Sequence, residues 1–283
     1  MSRSAATASL ALIAVGPKDV AEATSLARQL GLTLLPPGTR PGECVSHDAV
    51  LLLEGDTLAL QRTRPGGSLA GGRVAGQVLP GPVAVDFGSA AMRHRRRSGQ
   101  NELLGRAVGV SARRRLRVLD ATAGLGRDSF VLADMGCSVA LVEREPVIAA
   151  MLERGLRSAA GSGDPWLQEV VRRMTLYAQD ARSLPAGMAA QFDVIYLDPM
   201  FPARDKSAAV KKEMALFQLL LDSDSSRADS TALLQWALDQ AVARVVVKRP
   251  SRASALGPQR VSHSLGGKAV RFDVYVRAPL CQG

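Results

Sequence analysis

A short polar and proline-rich segment, Asp198-Pro199-Met200-Phe201-Pro202, directly follows an apolar stretch and has the residue types needed to hold a planar amino group. An amino group conjugated with a ring is a poor nucleophile, so acceptors must orient its hydrogens while its lone pair faces the electrophile. We expect the Asp198 carboxylate and the Pro199 carbonyl to be these acceptors. Phe201 offers a flat face for stacking a base, a contact that contributes about 1–3 kcal/mol in nucleic-acid binders. The alternatives are a strand-to-loop turn without a catalytic role, and a Phe201 that packs in the core.

A glycine-rich turn follows another apolar stretch and predicts a ligand site. Gly124 and Gly126 lie in this turn, and glycine lets the backbone approach a ligand closely because it has no Cβ atom. The dinucleotide fingerprint G-x-G-x-x-G is incomplete, since Ser129 stands at the third glycine position, and this disfavours a diphosphate ligand. Asp120 precedes the turn and suits a positively charged ligand, such as the sulfonium and aminoacyl groups of S-adenosylmethionine. Alternatively, Asp120 caps the turn and the glycines serve packing.

Two further strand ends carry polar side chains that could complete such a site. Glu143 lies 17 residues after Gly126, at the position expected to bind ribose hydroxyls from the neighbouring strand tip. Gln179 and Asp180 follow the next strand, where they could reach an adenine ring and its amino group. The alternatives are a solvated strand end at Glu143 and a helix cap at Asp180.

The elements that must position these residues alternate between short apolar strands and helical segments, which predicts βαβ units and a parallel sheet. The predicted strands are Arg117–Asp120, Val139–Glu143, Met174–Tyr177, Phe192–Asp198 and Arg244–Lys248. The predicted helices are Arg127–Met135, Pro146–Ala159, Ala208–Leu221 and Thr231–Ala243. Gln259–His263 and Val270–Arg277 are joined by too few residues for a crossover helix, so we expect an antiparallel hairpin with a turn at Leu265–Lys268. A mostly parallel α/β sheet that closes with such a hairpin resembles the Rossmann-like fold of S-adenosylmethionine-dependent methyltransferases.

The first 82 residues predict a separate small α/β domain. An apolar strand at Leu10–Val15 precedes a helix at about Asp19–Leu30, and Ala49–Leu53 and Thr57–Gln61 flank a turn typical of a hairpin. Gly and Pro then become dense up to Pro82, which favours a linker. We therefore predict domains at residues 1–82 and 83–283, the second with a basic lead-in segment.

Composition narrows the choice of partners and compartment. The chain has 36 Lys and Arg against 26 Asp and Glu, a formal net charge of +10, which favours a polyanionic partner such as nucleic acid. Three scattered cysteines exclude a disulfide framework and suit the cytoplasm. The only metal-like spacing, Cys44 with His47, has no second pair, so no metal is expected. No apolar run reaches the length of a membrane helix, and Ala8–Val15 indicates a strand rather than a signal peptide.

Two basic segments flank the predicted catalytic region and could contact RNA phosphates. Their candidate residues are Arg93, Arg95, Arg96, Lys206, Lys211 and Lys212. A solvated charge run is the alternative for Arg93–Arg97. The apolar side of Ala208–Leu221 is expected to face the core.

The motifs together resemble the ribosomal small-subunit methyltransferase J family. Asp198-Pro199-Met200-Phe201 is similar to the [N/D]-P-P-[Y/F] motif of methyltransferases that act on planar amino groups, with Met200 in place of the second proline. The family resemblance extends over about Val83–Val276 and is looser before that range. The segments that carry it are 85–87, 92–96, 120–128, 198–202, 206–208, 210–214, 246–250 and 271–275.

Membership would imply methylation of the N2 amino group of a guanine in 16S ribosomal RNA of the small subunit. The family's cofactor positions would carry over to Arg127, Asp128, Glu143, Arg144, Gln179, Asp180 and Asp198. At Gln179 and Asp180 this chain departs from the small hydroxyl residues of other members.

Other functions stay open at this stage. Adenine N6 and a protein amide nitrogen are also planar and could use a similar motif, and a non-catalytic RNA-binding assembly factor could keep the fold. The missing third glycine disfavours a nicotinamide oxidoreductase. The sequence gives no prediction of the oligomeric state.

Overall fold

The computed structural model describes residues 8–64, 79–96, 99–199, 216, 219–220 and 226–280. The described residues up to Val85, with those between 216 and 220, belong to one compact unit, and the described residues of 86–199 and 226–280 belong to a second. Each unit has its own sheet.

The first unit contains a five-stranded sheet in the order β2-β1-β3-β4-β5. Its strands are β1 (Leu10–Ala14), β2 (Thr33–Leu35), β3 (Ala49–Glu54), β4 (Thr57–Arg62) and β5 (Val83–Ala84). Helix α1 (Val20–Leu30) connects β1 to β2, and both β2 and β3 pair with β1 in parallel. The predicted hairpin is confirmed, since β3 and β4 pair antiparallel around Gly55, which has a positive φ of 54°.

The strand β5 shows where the first sheet ends along the chain. Its two residues pair antiparallel with β4, so the sheet continues just beyond the domain division predicted after Pro82. The Pro80-Gly81-Pro82 run breaks regular structure, yet a short edge strand can follow it because edge strands need only one partner.

The second unit contains a seven-stranded sheet in the order β11-β12-β10-β9-β6-β7-β8. Its strands are β6 (Arg117–Asp120), β7 (Ser138–Val142), β8 (Met174–Tyr177), β9 (Val194–Leu197), β10 (Arg244–Pro250), β11 (His263–Gly266) and β12 (Val270–Val276). Strands β6 to β10 pair in parallel, whereas β12 pairs antiparallel with both β10 and β11. This arrangement confirms the predicted Rossmann-like sheet with a closing hairpin.

Helices alternate with the parallel strands. They are α2 (Ala90–Arg96), α3 (Gly99–Val108), α4 (Arg127–Asp134), α5 (Pro146–Ala160), α6 (Pro165–Val171) and α7 (Ser226–Asp239). Short 3-10 helices occur at Pro17–Asp19, Pro41–Glu43, Ala181–Ser183 and Ala189–Gln191. A proline begins both α5 and α6, where its fixed φ suits the first helical position.

The core of the second unit explains why its strands read as continuous apolar runs. Helices cover a parallel sheet on both faces, so successive strand residues are buried rather than alternating. Val118, Leu119, Ile195 and Val246 are fully buried in this way. The polar residues that follow the strands are therefore held at one rigid edge of the sheet.

The closing hairpin differs from the prediction in its first strand. The penultimate strand was expected at Gln259–His263 but lies at His263–Gly266, so that prediction was wrong. The turn is tighter than expected, because the Gly267 amide donates to the Val270 carbonyl at 2.7 Å and leaves Leu265 free to pair with Phe272. The predicted helix Ala208–Leu221 lies almost wholly outside the described residues.

Candidate active site

The strand order creates a cleft at the carboxyl edge of the second sheet. Strand β6 lies between β7 and β9, so the chain runs outward on one side through β8 and returns to the other side for β9 and β10. Ligands of open α/β sheets bind at such a switch point. The predicted residues Asp120, Glu143 and Asp198 all lie here, at or just after the ends of β6, β7 and β9.

The two glycines of the turn after β6 have different surroundings. Both have positive φ, 54° at Gly124 and 70° at Gly126. A Cβ built on Gly126 would lie 2.8 Å from Leu152 Cδ1, so this glycine permits close packing of the turn against α5. No atom of the described residues lies within 4 Å of a Cβ built on Gly124. Gly124 therefore faces the space in which a ligand could approach the backbone.

The Asp120 carboxylate holds the glycine turn through hydrogen bonds. It is buried, and its carboxylate accepts from the Thr122 amide at 3.1 Å and from the Ser129 hydroxyl. Burial raises the pKa of Asp120 to about 7, against the lowering effect of these hydrogen bonds. These contacts are those of a turn-capping residue, and the predicted contact of Asp120 with the cofactor stays a prediction.

Glu143 connects the tip of β7 to the glycine turn. Its carboxylate accepts from the Gly124 amide and from the Glu145 amide, both at 2.8 Å. Burial raises the pKa of Glu143, while the hydrogen bonds oppose that shift. Each carboxylate oxygen has two lone pairs, so Glu143 can hold the turn and still accept from a ribose hydroxyl.

Asp198 is fixed at two points. Its backbone amide donates to the Thr122 hydroxyl at 2.6 Å, and its carboxylate accepts from the Lys248 ammonium at 2.7 Å. Pro199, the other predicted acceptor, is buried next to it. The Asp198 side chain is 37% exposed, so its carboxylate is anchored inside the protein and still reaches the cleft.

Lys248 joins Asp198 to a second carboxylate. Its ammonium also donates to Asp128 at 2.7 Å, and the buried Tyr196 hydroxyl donates to Asp128 at 2.6 Å. Burial lowers the pKa of Lys248, but the two carboxylates outweigh this effect and raise the pKa above its ordinary value. The ammonium therefore stays charged at neutral pH. We name these four residues, Tyr196, Asp128, Lys248 and Asp198, the buried network.

A second set of charges lies after β7 and β8. Arg144 pairs with Asp229 and lies 3.9 Å from Asp180, while Arg182 pairs with Asp180 at 2.6 Å and with Asp229 at 2.8 Å. The Arg182 hydrogen bond is the main reason why the pKa of Asp180 is lowered. We name Arg144, Asp180, Arg182 and Asp229 the outer network.

Two predicted residues lie beside these networks. The Gln179 amide donates to the Tyr177 carbonyl at 3.0 Å, which turns the chain after β8. Arg127 begins α4 directly after the glycine turn. Their predicted cofactor contacts, like those of Arg144 and Asp180, stay predictions.

The predicted RNA-binding residues are only partly described. Arg93 donates to Asp164 at 2.6 Å and lies over the Trp166 ring, with half of its side chain exposed. Arg95 and Arg96 end α2, and nothing is described of their side chains. Four predicted residues, Phe201, Lys206, Lys211 and Lys212, lie outside the described residues.

Sequence reasoning did not assign Lys248, Tyr196, Thr122 or Asp229 to the site. A lysine directly after Val245-Val246-Val247 was the available signal for Lys248, because a charge in a buried strand needs a partner. The outer network depends on α7, whose Asp229 is 85 residues away from Arg144 along the chain.

The side chains at this edge fit S-adenosylmethionine. The space in front of Gly124 admits a ligand to the backbone, and the carboxylates of Glu143, Asp198 and Asp180 suit hydroxyls and positive charge. When bound, S-adenosylmethionine would supply a methyl group activated by its sulfonium. Within the part of the chain that is described, no cluster of three or more His, Cys, Asp or Glu side chains could hold a metal ion, and no helix is long and apolar enough to cross a membrane.

Comparisons with known proteins identify relatives of this chain. A family model for S-adenosylmethionine-dependent methyltransferases matches residues 68–277. The ribosomal RNA small subunit methyltransferase J of Thioalkalivibrio sulfidiphilus is 46% identical over 258 residues, which cover 90% of this chain and 92% of that protein. The protein of the same name from Pseudomonas aeruginosa is 50% identical over 209 residues, or 72% of this chain and 77% of that protein.

A solved structure is similar to this chain in fold as well as in sequence. The crystal structure of a SAM-dependent methyltransferase from Neisseria gonorrhoeae is 33% identical, has a TM-score of 0.65, and the match covers 94% of this chain and 95% of that one. The chain is therefore an S-adenosylmethionine-dependent methyltransferase and belongs to the ribosomal RNA small subunit methyltransferase J family.

Proposed function

We propose that this enzyme methylates the N2 amino group of a guanine in 16S ribosomal RNA of the small subunit, and that it acts in the cytoplasm. The observation that carries this proposal is the anchored Asp198 carboxylate, which is held by Lys248 and reaches the cleft beside the glycine turn. The relatives named as ribosomal RNA small subunit methyltransferases support an RNA substrate.

The site would act mainly by positioning. The acceptor amino group would donate to Asp198 and to the Pro199 carbonyl, so that its lone pair points at the methyl carbon. The N–C bond would form as the C–S bond breaks, and the proton lost by the amino group would pass through the Asp198 carboxylate to water. Alignment of two bound reactants can supply much of the rate enhancement in such direct transfers.

The net charge of +10 supports binding of the phosphate backbone. We propose that Arg93, Arg95 and Arg96 from the lead-in, with Lys206, Lys211 and Lys212, contribute these contacts. Phe201 would stack on the target base.

The test is transfer of a labelled methyl group from S-adenosylmethionine to 16S RNA that lacks modifications, offered free and in small subunits. Digestion to nucleosides then identifies the labelled product. N2-methylguanosine is the expected product. Label in N6-methyladenosine, or only in ribosomal protein, would contradict the proposal and favour another planar nitrogen.

A further inference from the structure

We infer that Lys248 is a positioning residue for methyl transfer, which holds the Asp198 carboxylate in place for the acceptor amino group; the inference rests on the proposed function of Asp198. The residue adds to the Asp198 motif a partner from a different strand.

The sheet register brings Lys248 to Asp198. Strands β9 and β10 are parallel neighbours, and Leu197 pairs with Val247. Asp198 directly follows Leu197 and Lys248 directly follows Val247, so the two side chains meet at the carboxyl edge of β9. Val245, Val246 and Val247 are fully buried, which fixes β10 firmly up to the lysine.

The Lys248 ammonium contacts one carboxylate in the interior and one carboxylate that faces the cleft. Lys248 lies 2.7 Å from both Asp128 and Asp198. The Asp128 side chain is 10% exposed and that of Asp198 is 37% exposed. One carboxylate thus anchors the lysine inside the protein, and the lysine in turn holds the carboxylate that faces the cleft.

Acidic groups surround Lys248, so its removal should change the protonation of the carboxylates that it contacts. Among the described residues, the acidic groups that act on Asp198 and Lys248 include Asp120 from β6, Asp128 from α4 and Tyr196 from β9. Without Lys248, the close carboxylates of Asp128 and Asp198 would lose the ammonium that both contact, and like charges favour protonation of one carboxylate. A protonated Asp198 would be a weaker acceptor for the amino group.

The test compares Lys248→Met, which removes the charge, with Lys248→Gln, which removes the charge but keeps a donor between the two carboxylates. Lys268→Met is the matched control, because Lys268 is an exposed lysine in the β11–β12 turn. Measurements are the affinity for S-adenosylhomocysteine, kcat and KM on unmodified 16S RNA, and the pH profile of kcat/KM.

We expect kcat to fall about 100-fold in Lys248→Met, as for a misplaced catalytic group, with KM for RNA close to wild type. The acid limb of the pH profile should move upward by about 1–3 pH units, because the two carboxylates, without the Lys248 ammonium, hold a proton to higher pH. Lys248→Gln should show the same shift with a smaller loss of kcat, and Lys268→Met should match wild type.

A wild-type kcat, or a reduced kcat with an unmoved acid limb, would overturn the inference, the second because it would leave Lys248 only a structural role. If Lys248→Met does not fold, Lys248→Gln decides by the same criteria. If the wild-type enzyme methylates a different nitrogen, the proposed substrate is wrong. The same variants, assayed on that other acceptor, still test whether Lys248 positions Asp198.

Discussion

The buried network and the outer network lie at the same edge of one sheet but in different surroundings. The Lys248 ammonium side chain is 19% exposed, whereas the guanidinium side chains of Arg144 and Arg182 are 46% and 35% exposed. Charges near solvent are screened, so exposed ion pairs contribute little. A buried pair is costly to break, because removing one partner leaves the other charge desolvated.

This difference in exposure indicates which charges can hold a reacting group in a fixed geometry. The buried network holds Asp198 through fixed contacts on three elements, β9, α4 and β10. The outer network connects the turns after β7 and β8 to α7 with shared, partly solvated pairs, which can exchange partners at small cost. We therefore expect the buried network to control the rate of transfer and the outer network to adjust cofactor binding only modestly.

We expect the largest effect from Asp198, the residue of the buried network that faces the cleft. Asp198→Ala should lower kcat about 1000-fold, since it removes the acceptor for the amino group, and it should leave the fold intact because the side chain is partly exposed. Methyl-transfer rates and circular dichroism check both parts. The control is Asp56→Ala, an exposed aspartate of the β3–β4 turn. Near-normal turnover of a folded Asp198→Ala variant would remove Asp198 from the mechanism.

The free energy of unfolding tests Asp128, the less exposed carboxylate of the buried network. Asp128→Ala should lower the free energy of unfolding by about 3 kcal/mol, because it leaves Lys248 short of one partner and the Tyr196 hydroxyl without its acceptor. Denaturant titration gives the value. Asp128→Asn, which keeps an acceptor and the volume, should lose less. A loss below about 1 kcal/mol would place this network in the same class as exposed pairs.

The outer network should give the smallest effect. Asp229→Ala should change the free energy of unfolding by less than about 1 kcal/mol, since Asp180 still pairs with Arg182. The difference from wild type should shrink further at high salt, where exposed charges are screened. If Asp229→Ala instead destabilised the protein as strongly as Asp128→Ala, the contrast between the two networks would fail.

The sequence predicted the second sheet well because its strands are short apolar runs between helices. Arg117–Asp120 and Met174–Tyr177 were predicted with the bounds that are observed. The strand Thr33–Leu35 was not predicted, because three residues are too few to show a periodic pattern. Helix Ala90–Arg96 was not predicted because its dense basic run reads as a solvated segment, and the following helix Gly99–Val108 was not predicted either.

For the site, the sequence indicated the acidic residues at strand ends but not their partners. Asp120, Glu143 and Asp198 follow their own strands, which is local information. Lys248 meets Asp198 only through the register of β9 and β10, which lie 50 residues apart in the chain at this contact. Such a pairing is fixed by the assembled sheet, so residue spacing alone could not reveal it.

The most direct test of the account is a titration of S-adenosylhomocysteine into Gly124→Ala, with Gly126→Ala as its partner. A methyl group at Gly124 would enter the open space before the turn, whereas one at Gly126 would press on Leu152. We expect Gly124→Ala to bind S-adenosylhomocysteine at least about tenfold more weakly, a loss of about 1.4 kcal/mol. Its thermal midpoint should fall by only a few degrees, which corresponds to the strain of a left-handed alanine. Gly126→Ala should instead lose mainly thermal stability. Unchanged affinity in a folded Gly124→Ala variant would contradict the claim that the cofactor lies against this turn.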